Sequence, residues 1–295
     1  MHAQPYVGRF APTPSGHLHF GSLVAALASF LDARHQRGVW LVRVEDLDQP
    51  RVVSGATEHI LRTLECYGLE WDGEIVYQSQ RIERYESILA SWLVEGKAYH
   101  CDCSRQQIAA YGGVYPGTCA SRGLVAAGDR AIRVRVPAEP LGFVDRLQGP
   151  VSQSLQDEVG DIAVRRRDGV IAYQLAVVAD DIAQGVTDVV RGADLLDSTP
   201  RQIWLYHLLG EALPAYLHVP LIMRPDGEKL SKRLGSAPLE PQRTAITLWR
   251  ALAALRQAPP RSLHGAGVKE LLAWAIANWR VEAIPATAHI LEDSI

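Results

Sequence analysis

The sequence predicts an α/β fold: a doubly wound parallel sheet, interrupted by a cysteine-bearing insertion and closed by a short helical segment. Three observations predict it. Residues 7–44 read as strand, loop, helix and strand, the βαβ unit of a parallel sheet. Apolar, strand-like runs return at Val186–Val190 and Leu217–Ile222. Between them, from Tyr99 to about Gly169, lie clustered cysteines, Gly-Gly and Pro-Gly pairs and one alternating stretch, Ala131 to Val136.

Taken in order, Val7–Ala11 is a short buried strand and Pro12-Thr-Pro-Ser-Gly16 a rigid loop. From Ser22, the residues Leu23, Ala26, Leu27, Phe30 and Leu31 recur at helical spacing until Gly38 stops them. Val39–Val44 is nearly all apolar, as expected of a parallel strand covered on both faces. Helices follow at Ala56–Gly68 and Ile82–Gly96, and the isolated Cys66 is expected to pack in the first of them. Arg165-Arg-Arg167 before Asp168-Gly169 is a basic hairpin, equally consistent with a solvated turn and an RNA contact. Thr199–Leu209 is a helix with Pro200 suited to its first turn. Thr244–Leu255 and Gly267–Trp279 complete the chain as helices. The expected domain boundaries are 1–98 and 171–235 for the two halves of the sheet domain, 99–170 for the insertion and 236–295 for the C-terminal subdomain.

Composition bounds the function. At 295 residues, 47% hydrophobic and 21% charged, the chain is ordinary globular material. A net charge of −3 excludes a broad basic surface for indiscriminate nucleic-acid binding, while leaving room for a local groove. No membrane span and no signal peptide is legible, so a cytoplasmic protein is expected. Four cysteines in this length do not make a disulfide scaffold, and Cys101, Cys103 and Cys119 cluster in a way that points to metal.

Two loops carry the chemistry. The first follows the first strand and opens the first helix, where an open α/β sheet binds nucleotides. There His19 can donate to a phosphate, and Gly21 has no side chain to block a base or ribose. The second is Gly227-Glu-Lys-Leu-Ser-Lys-Arg-Leu-Gly-Ser236, with Lys229 and Lys232 three residues apart on a glycine-flanked loop. By itself such a pair is most often a solvated surface loop; together with the His-x-Gly turn it reads as a polyphosphate clamp.

These residues resemble the class I aminoacyl-tRNA synthetases of the glutamyl/glutaminyl group. His19-Phe-Gly-Ser22 stands where the group has His-Ile-Gly-His, and Lys229-Leu-Ser-Lys-Arg233 where it has Lys-Met-Ser-Lys-Ser. The lead-in Arg-Phe-Ala-Pro-x-Pro-x-Gly, "RVEDLD" at 43–48 and "VVRGADLLDSTPRQ" at 189–202 are specific to that group. Ser22 replaces the second histidine and Arg233 the final serine; both leave a polar or cationic group. The resemblance implies a Rossmann-type catalytic core in which a carboxylate attacks the α-phosphate of ATP, taken with Mg2+, to give an aminoacyl adenylate and pyrophosphate. It implies catalysis by His19, Lys229 and Lys232, with Gly21, Ser22 and Ser231 completing the ATP site. For glutamate it implies Arg9, Ala11, Thr13, Glu45, Tyr173 and Arg191. Arg9 and Arg191 can clamp carboxylates, and Glu45 can hold the ammonium. Asp180 and Asp181 are either functional or helix caps.

The resemblance extends to metal and acceptor. Cys101, Cys103 and Cys119 supply three thiolates, one short of a four-coordinate zinc site. The spacing Cys-x-Cys-x11-Tyr-x3-Cys resembles a zinc site of one branch of the group and implies Tyr115 as the fourth ligand to a structural Zn2+. About sixty residues follow Lys232, so the large anticodon reader of a full glutamyl enzyme is expected to be absent. The ending "ELLAWAIANW" resembles a short branch that transfers glutamate to the cyclopentenediol of queuosine at the wobble position of tRNA(Asp). The implied partners are ATP, L-glutamate and the anticodon stem-loop of that tRNA, and a monomer is expected. The competing expectations are a minimal enzyme charging the 3′ end of tRNA(Glu) and a non-catalytic glutamate or ATP sensor.

Overall fold

The computed structural model describes residues 5–224, 239 and 243–294. Strand β1 (Val7–Phe10) leads through the proline loop into helix α1 (Phe20–His35), and β2 (Val39–Val44) returns parallel to β1. Gly38 makes that return possible, because a Cβ there would lie 2.5 Å from the carbonyl oxygen of Tyr6. Then come α2 (Ala56–Cys66), β3 (Val76–Tyr77), parallel to β2, and α3 (Ile82–Val94). The insertion contributes β4 (Ala98–Cys101), α4 (Arg105–Ala109), β5 (Ala131–Val134), the hairpin of β6 (Leu141–Asp145) and β7 (Gly149–Gln153), α5 (Leu155–Glu158) and β8 (Ile162–Arg165). Helix α6 (Tyr173–Ala183), β9 (Asp188–Gly192), α7 (Thr199–Leu209) and β10 (Ala215–Val219) restore the α/β alternation. After β11 (Leu221–Met223), the described chain ends with α8 (Thr244–Ala254), α9 (Val268–Ala277) and β12 (His289–Leu291).

The parallel pairs β1–β2, β2–β3, β9–β10 and β10–β6 bear out the α/β expectation. The two groups of strands meet beside β1, where the Thr187 N–H donates to the Val7 carbonyl at 3.0 Å. The β6–β7 hairpin does not stay with the rest of the insertion: it pairs with β10, while β4, β5 and β8 form a separate antiparallel sheet. One hydrophobic core joins α1 and β2 to α2, α8 and α9; a second joins α3, α6 and α7 to β5 and β8. No helix among the described residues is long and apolar enough to cross a membrane.

Three expectations need correction. Cys66 is exposed, not packed. The buried face of α2 is Ala56, Ile60, Thr63 and Leu64, and Cys66 falls off that face. The run Leu217–Ile222 is broken at Pro220, which has no N–H for a ladder, so β10 and β11 belong to different sheets. The C-terminal segment is not wholly helical, because β12 pairs in parallel with β11.

Candidate active site

The two halves of the sheet place their functional side chains where β1, β2 and β9 run out. Arg9 on β1 is 3% exposed and Arg43 on β2 fully buried, and both guanidinium groups point at Asp181 on α6. Arg9 Nε donates to Asp181 at 3.2 Å and Arg43 Nη1 at 2.6 Å, with a further bond from Arg43 to Gln184. Burial alone would raise the Asp181 carboxyl, but Arg43 and Arg9 hold it below the ordinary carboxylate range. Asp180 receives Gln78, Arg81 and Tyr85 at 2.6–2.9 Å. Neither aspartate caps a helix: α6 begins after Ala172, and both sit buried near its C-terminal end.

Glu45 follows β2, 3.4 Å from Arg43 Nη2. Its backbone N–H donates to the Pro12 carbonyl at 2.9 Å, which pins the loop bearing Ala11 and Thr13 against the end of β2. Burial raises the Glu45 carboxyl despite the pull of Arg43 and Arg9. Tyr173 opens α6 within electrostatic reach of Glu45, Arg191 and Arg9, and burial raises its hydroxyl. Arg191 on β9 donates through Nε to His218 Nε2 at 3.0 Å and through Nη2 to Thr199 Oγ1 at 2.9 Å. Among the described residues, its Nη1 is buried with no hydrogen-bond partner.

The phosphate side of the site is the start of α1. His19 is the N-cap: its Nδ1 accepts from the Ser22 N–H at 3.2 Å, leaving Nε2 as the protonated nitrogen, 2.9 Å from Ser22 Oγ. The helix therefore starts at Phe20, earlier than the spacing predicts, because the histidine supplies the cap. Burial lowers the His19 pKa, which keeps the ring neutral. A Cβ on Gly21 would lie 3.4 Å from the His19 ring, an ordinary van der Waals contact, so the histidine seat itself does not require the glycine. Lys229, Ser231 and Lys232 lie outside the described residues.

A family model for class I tRNA synthetases (E and Q), catalytic domain, matches residues 6–114 and 120–243. The chain belongs to that family. This synthetase is 58% identical to "Glutamyl-Q tRNA(Asp) synthetase" of Ectopseudomonas mendocina, over 97% of each chain. It is 55% identical to the protein of the same name from Pseudomonas syringae pv. tomato over 100% of both. Its fold is similar to the crystal structure of glutamate-tRNA synthetase from Elizabethkingia anophelis, with a TM-score of 0.79 and 24% identity, covering 96% of this chain and 67% of that one.

The synthetase's insertion also carries a cluster of thiols. Cys101, Cys103 and Cys119 are buried with their sulfurs within 4.8 Å of one another, and Cys103 and Cys119 are 3.5 Å apart. A tetrahedral zinc with Zn–S bonds of about 2.3 Å spans sulfur edges of about 3.8 Å, so the spacing fits that ion. Tyr115 Oη lies 3.3 Å from Cys101 Sγ and 3.7 Å from Cys103 Sγ, on the inner side of the cluster. Gly160 permits this: its φ is +71°, and a Cβ there would strike the Tyr115 backbone at 2.1 Å. Burial alone would raise the Cys101 thiol, but hydrogen bonds from Tyr115 and Arg133 help hold it below its ordinary range; Cys103 is pushed up to about 11, chiefly by burial. The Arg133 guanidinium stacks 4.1 Å over the Tyr115 ring, and Arg122 Nη1 donates to Cys119 Sγ at 3.3 Å, two cations beside the cluster. Elsewhere in the insertion, Arg166 and Arg167 of the basic hairpin pair with Asp48, Asp168 and Asp129.

Sequence reasoning missed Arg43, His218 and Asp145, and left Asp181 open between a functional role and a helix cap. Arg43 alone had a signal, a buried cation inside "RVEDLD".

Proposed function

We propose that this synthetase activates L-glutamate with ATP, without tRNA, and transfers it to the cyclopentenediol of queuosine at the wobble position of tRNA(Asp). The observation that carries the amino acid is Arg191 Nη1, buried without a partner among the described residues and close to Arg9, Glu45 and Tyr173. A guanidinium donor buried without an acceptor is costly, and a substrate carboxylate is the acceptor whose geometry matches it. Arg9 and Arg191 face the two carboxylates, Glu45 receives the ammonium, and Ala11, Thr13 and Tyr173 form the walls. The acceptor rests on the name shared by relatives that match over 97–100% of both chains. Those relatives do not favour a tRNA(Glu)-charging enzyme or a non-catalytic sensor.

In the first step a glutamate carboxylate oxygen attacks the α-phosphorus of ATP, bound with Mg2+, and the bond to the bridging oxygen of pyrophosphate breaks. His19 Nε2–H, Gly21, Ser22 and the first amides of α1 hold the phosphates, and Lys229, Ser231 and Lys232 supply the remaining polar and positive groups for them. In the second step a hydroxyl of the cyclopentenediol attacks the adenylate carbonyl and AMP leaves. A structural zinc on Cys101, Cys103, Cys119 and Tyr115 organises the insertion. Glutamate-dependent ATP–pyrophosphate exchange without tRNA tests the first step. Lys232→Ala should slow it by about 10²–10³-fold, the scale of one lost preorganised donor. No exchange by the wild type would contradict the reading.

A further inference from the structure

The Arg191 guanidinium is held from behind by groups that no motif identifies. Asp145, in the β6–β7 hairpin, lies 2.6 Å from His218 Nδ1, and both side chains are fully buried. Asp145 Oδ1 also accepts the backbone N–H groups of Leu147 and Gln148 at 2.9 Å, so the hairpin turn fixes the carboxylate. The contacts fix the histidine tautomer. A carboxylate at Nδ1 requires the histidine proton there, which leaves Nε2 a lone pair. That lone pair accepts Arg191 Nε–H at 3.0 Å. Arg191 Nη2 donates to Thr199 Oγ1 at 2.9 Å, and the Thr199 hydroxyl lies 3.2 Å from two acceptors, the Leu195 carbonyl and His218 Nε2. Nη1 is what remains.

We propose that Asp145 and His218 are positioning residues for substrate glutamate: Asp145 fixes the histidine tautomer, and His218 fixes the rotation of Arg191 so that Nη1 is presented to a carboxylate. This rests on the reading that Arg191 binds glutamate. It also gives the β6–β7 hairpin, which joins the sheet beside β10, a part in amino-acid recognition. The other charged groups near His218 are Arg191 on β9 and Arg9 on β1; both disfavour a second proton on the ring.

The test exploits an isosteric change. In Asp145→Asn the carbonyl oxygen can keep the turn amides, but the NH2 then faces His218 Nδ1 and forces the proton to Nε2, against Arg191 Nε–H. The glutamate KM in ATP–pyrophosphate exchange should rise about ten- to a hundredfold, the scale of a lost buried charged hydrogen bond, with the ATP KM unchanged. His218→Gln keeps an acceptor near Nε2 and should retain more glutamate affinity than His218→Phe, which keeps none. Arg191→Met separates the two layers. If Arg191→Met raises the glutamate KM and Asp145→Asn, correctly folded by circular dichroism, does not, the positioning role is overturned alone. If Arg191→Met leaves the glutamate KM unchanged, the reading beneath it falls. In the double variant, Asp145→Asn should add nothing to Arg191→Met; additive losses would overturn the proposal.

Discussion

Trp279 donates its indole N–H to Asp32 at 2.9 Å, joining the chain just beyond α9 to the last turn of α1. Asp32 is 1% exposed and also accepts from Tyr6 Oη at 2.6 Å and Arg146 Nη2 at 3.0 Å. One buried anion thus gathers the approach to β1, the β6–β7 turn and the chain beyond α9. Trp279→Phe keeps most of the packing and removes one donor, so stability should fall by about 1–2 kcal/mol. Chemical denaturation measures this. The glutamate KM should not move, since Trp279 is remote from Arg191 in role and contacts.

Glu45 is expected to trade stability for binding. Its folded-state pKa is raised by burial, so the folded protein holds that proton more tightly than the unfolded chain does and loses stability as pH rises above the ordinary glutamate value of about 4.3. Glu45→Gln removes that penalty. The variant should melt at a higher temperature than the wild type at pH 7, with the gain shrinking as pH falls toward 4, while its glutamate KM rises. A lower melting temperature at pH 7 would refute the sign of this account.

The thiol cluster predicts about one zinc per chain in protein purified without added metal. Cys103→Ser should lose it and expose residues 99–120 to proteolysis, because a site of this kind contributes to folding. Tyr115→Phe should weaken retention against a chelator while the three thiolates remain. Metal-free protein with a protected insertion would return the cysteines to ordinary core packing.

How much of this was legible in the sequence depends on the range of each interaction. Strand β2 and helix α7 lie where local pattern puts them, at Val39–Val44 and Thr199–Leu209, because apolar runs and a Pro in the first turn are local signals. Helix α6 went unread; within it Leu175 to Asp181 are buried without a break, Asp180 and Asp181 included. The chain positions of Arg9, Arg191 and Glu45 were readable through motifs. Their partners were not, since Asp181 is 172 residues from Arg9, and Asp145 is 73 from His218. Nothing in a local window pairs residues that far apart.

The acceptor is the central claim, and trimming the tRNA tests it most directly. If the acceptor hydroxyl belongs to queuosine, the 3′-terminal ribose takes no part, and a single-stranded anticodon loop exposes base edges that a duplex hides. Glutamate transfer should be measured with tRNA(Asp) lacking its 3′-terminal nucleotides and with tRNA(Asp) carrying unmodified guanosine at the wobble position. The trimmed queuosine tRNA should accept glutamate and the unmodified one should not. Glutamylation of tRNA(Glu) that disappears on 3′ trimming would contradict the account.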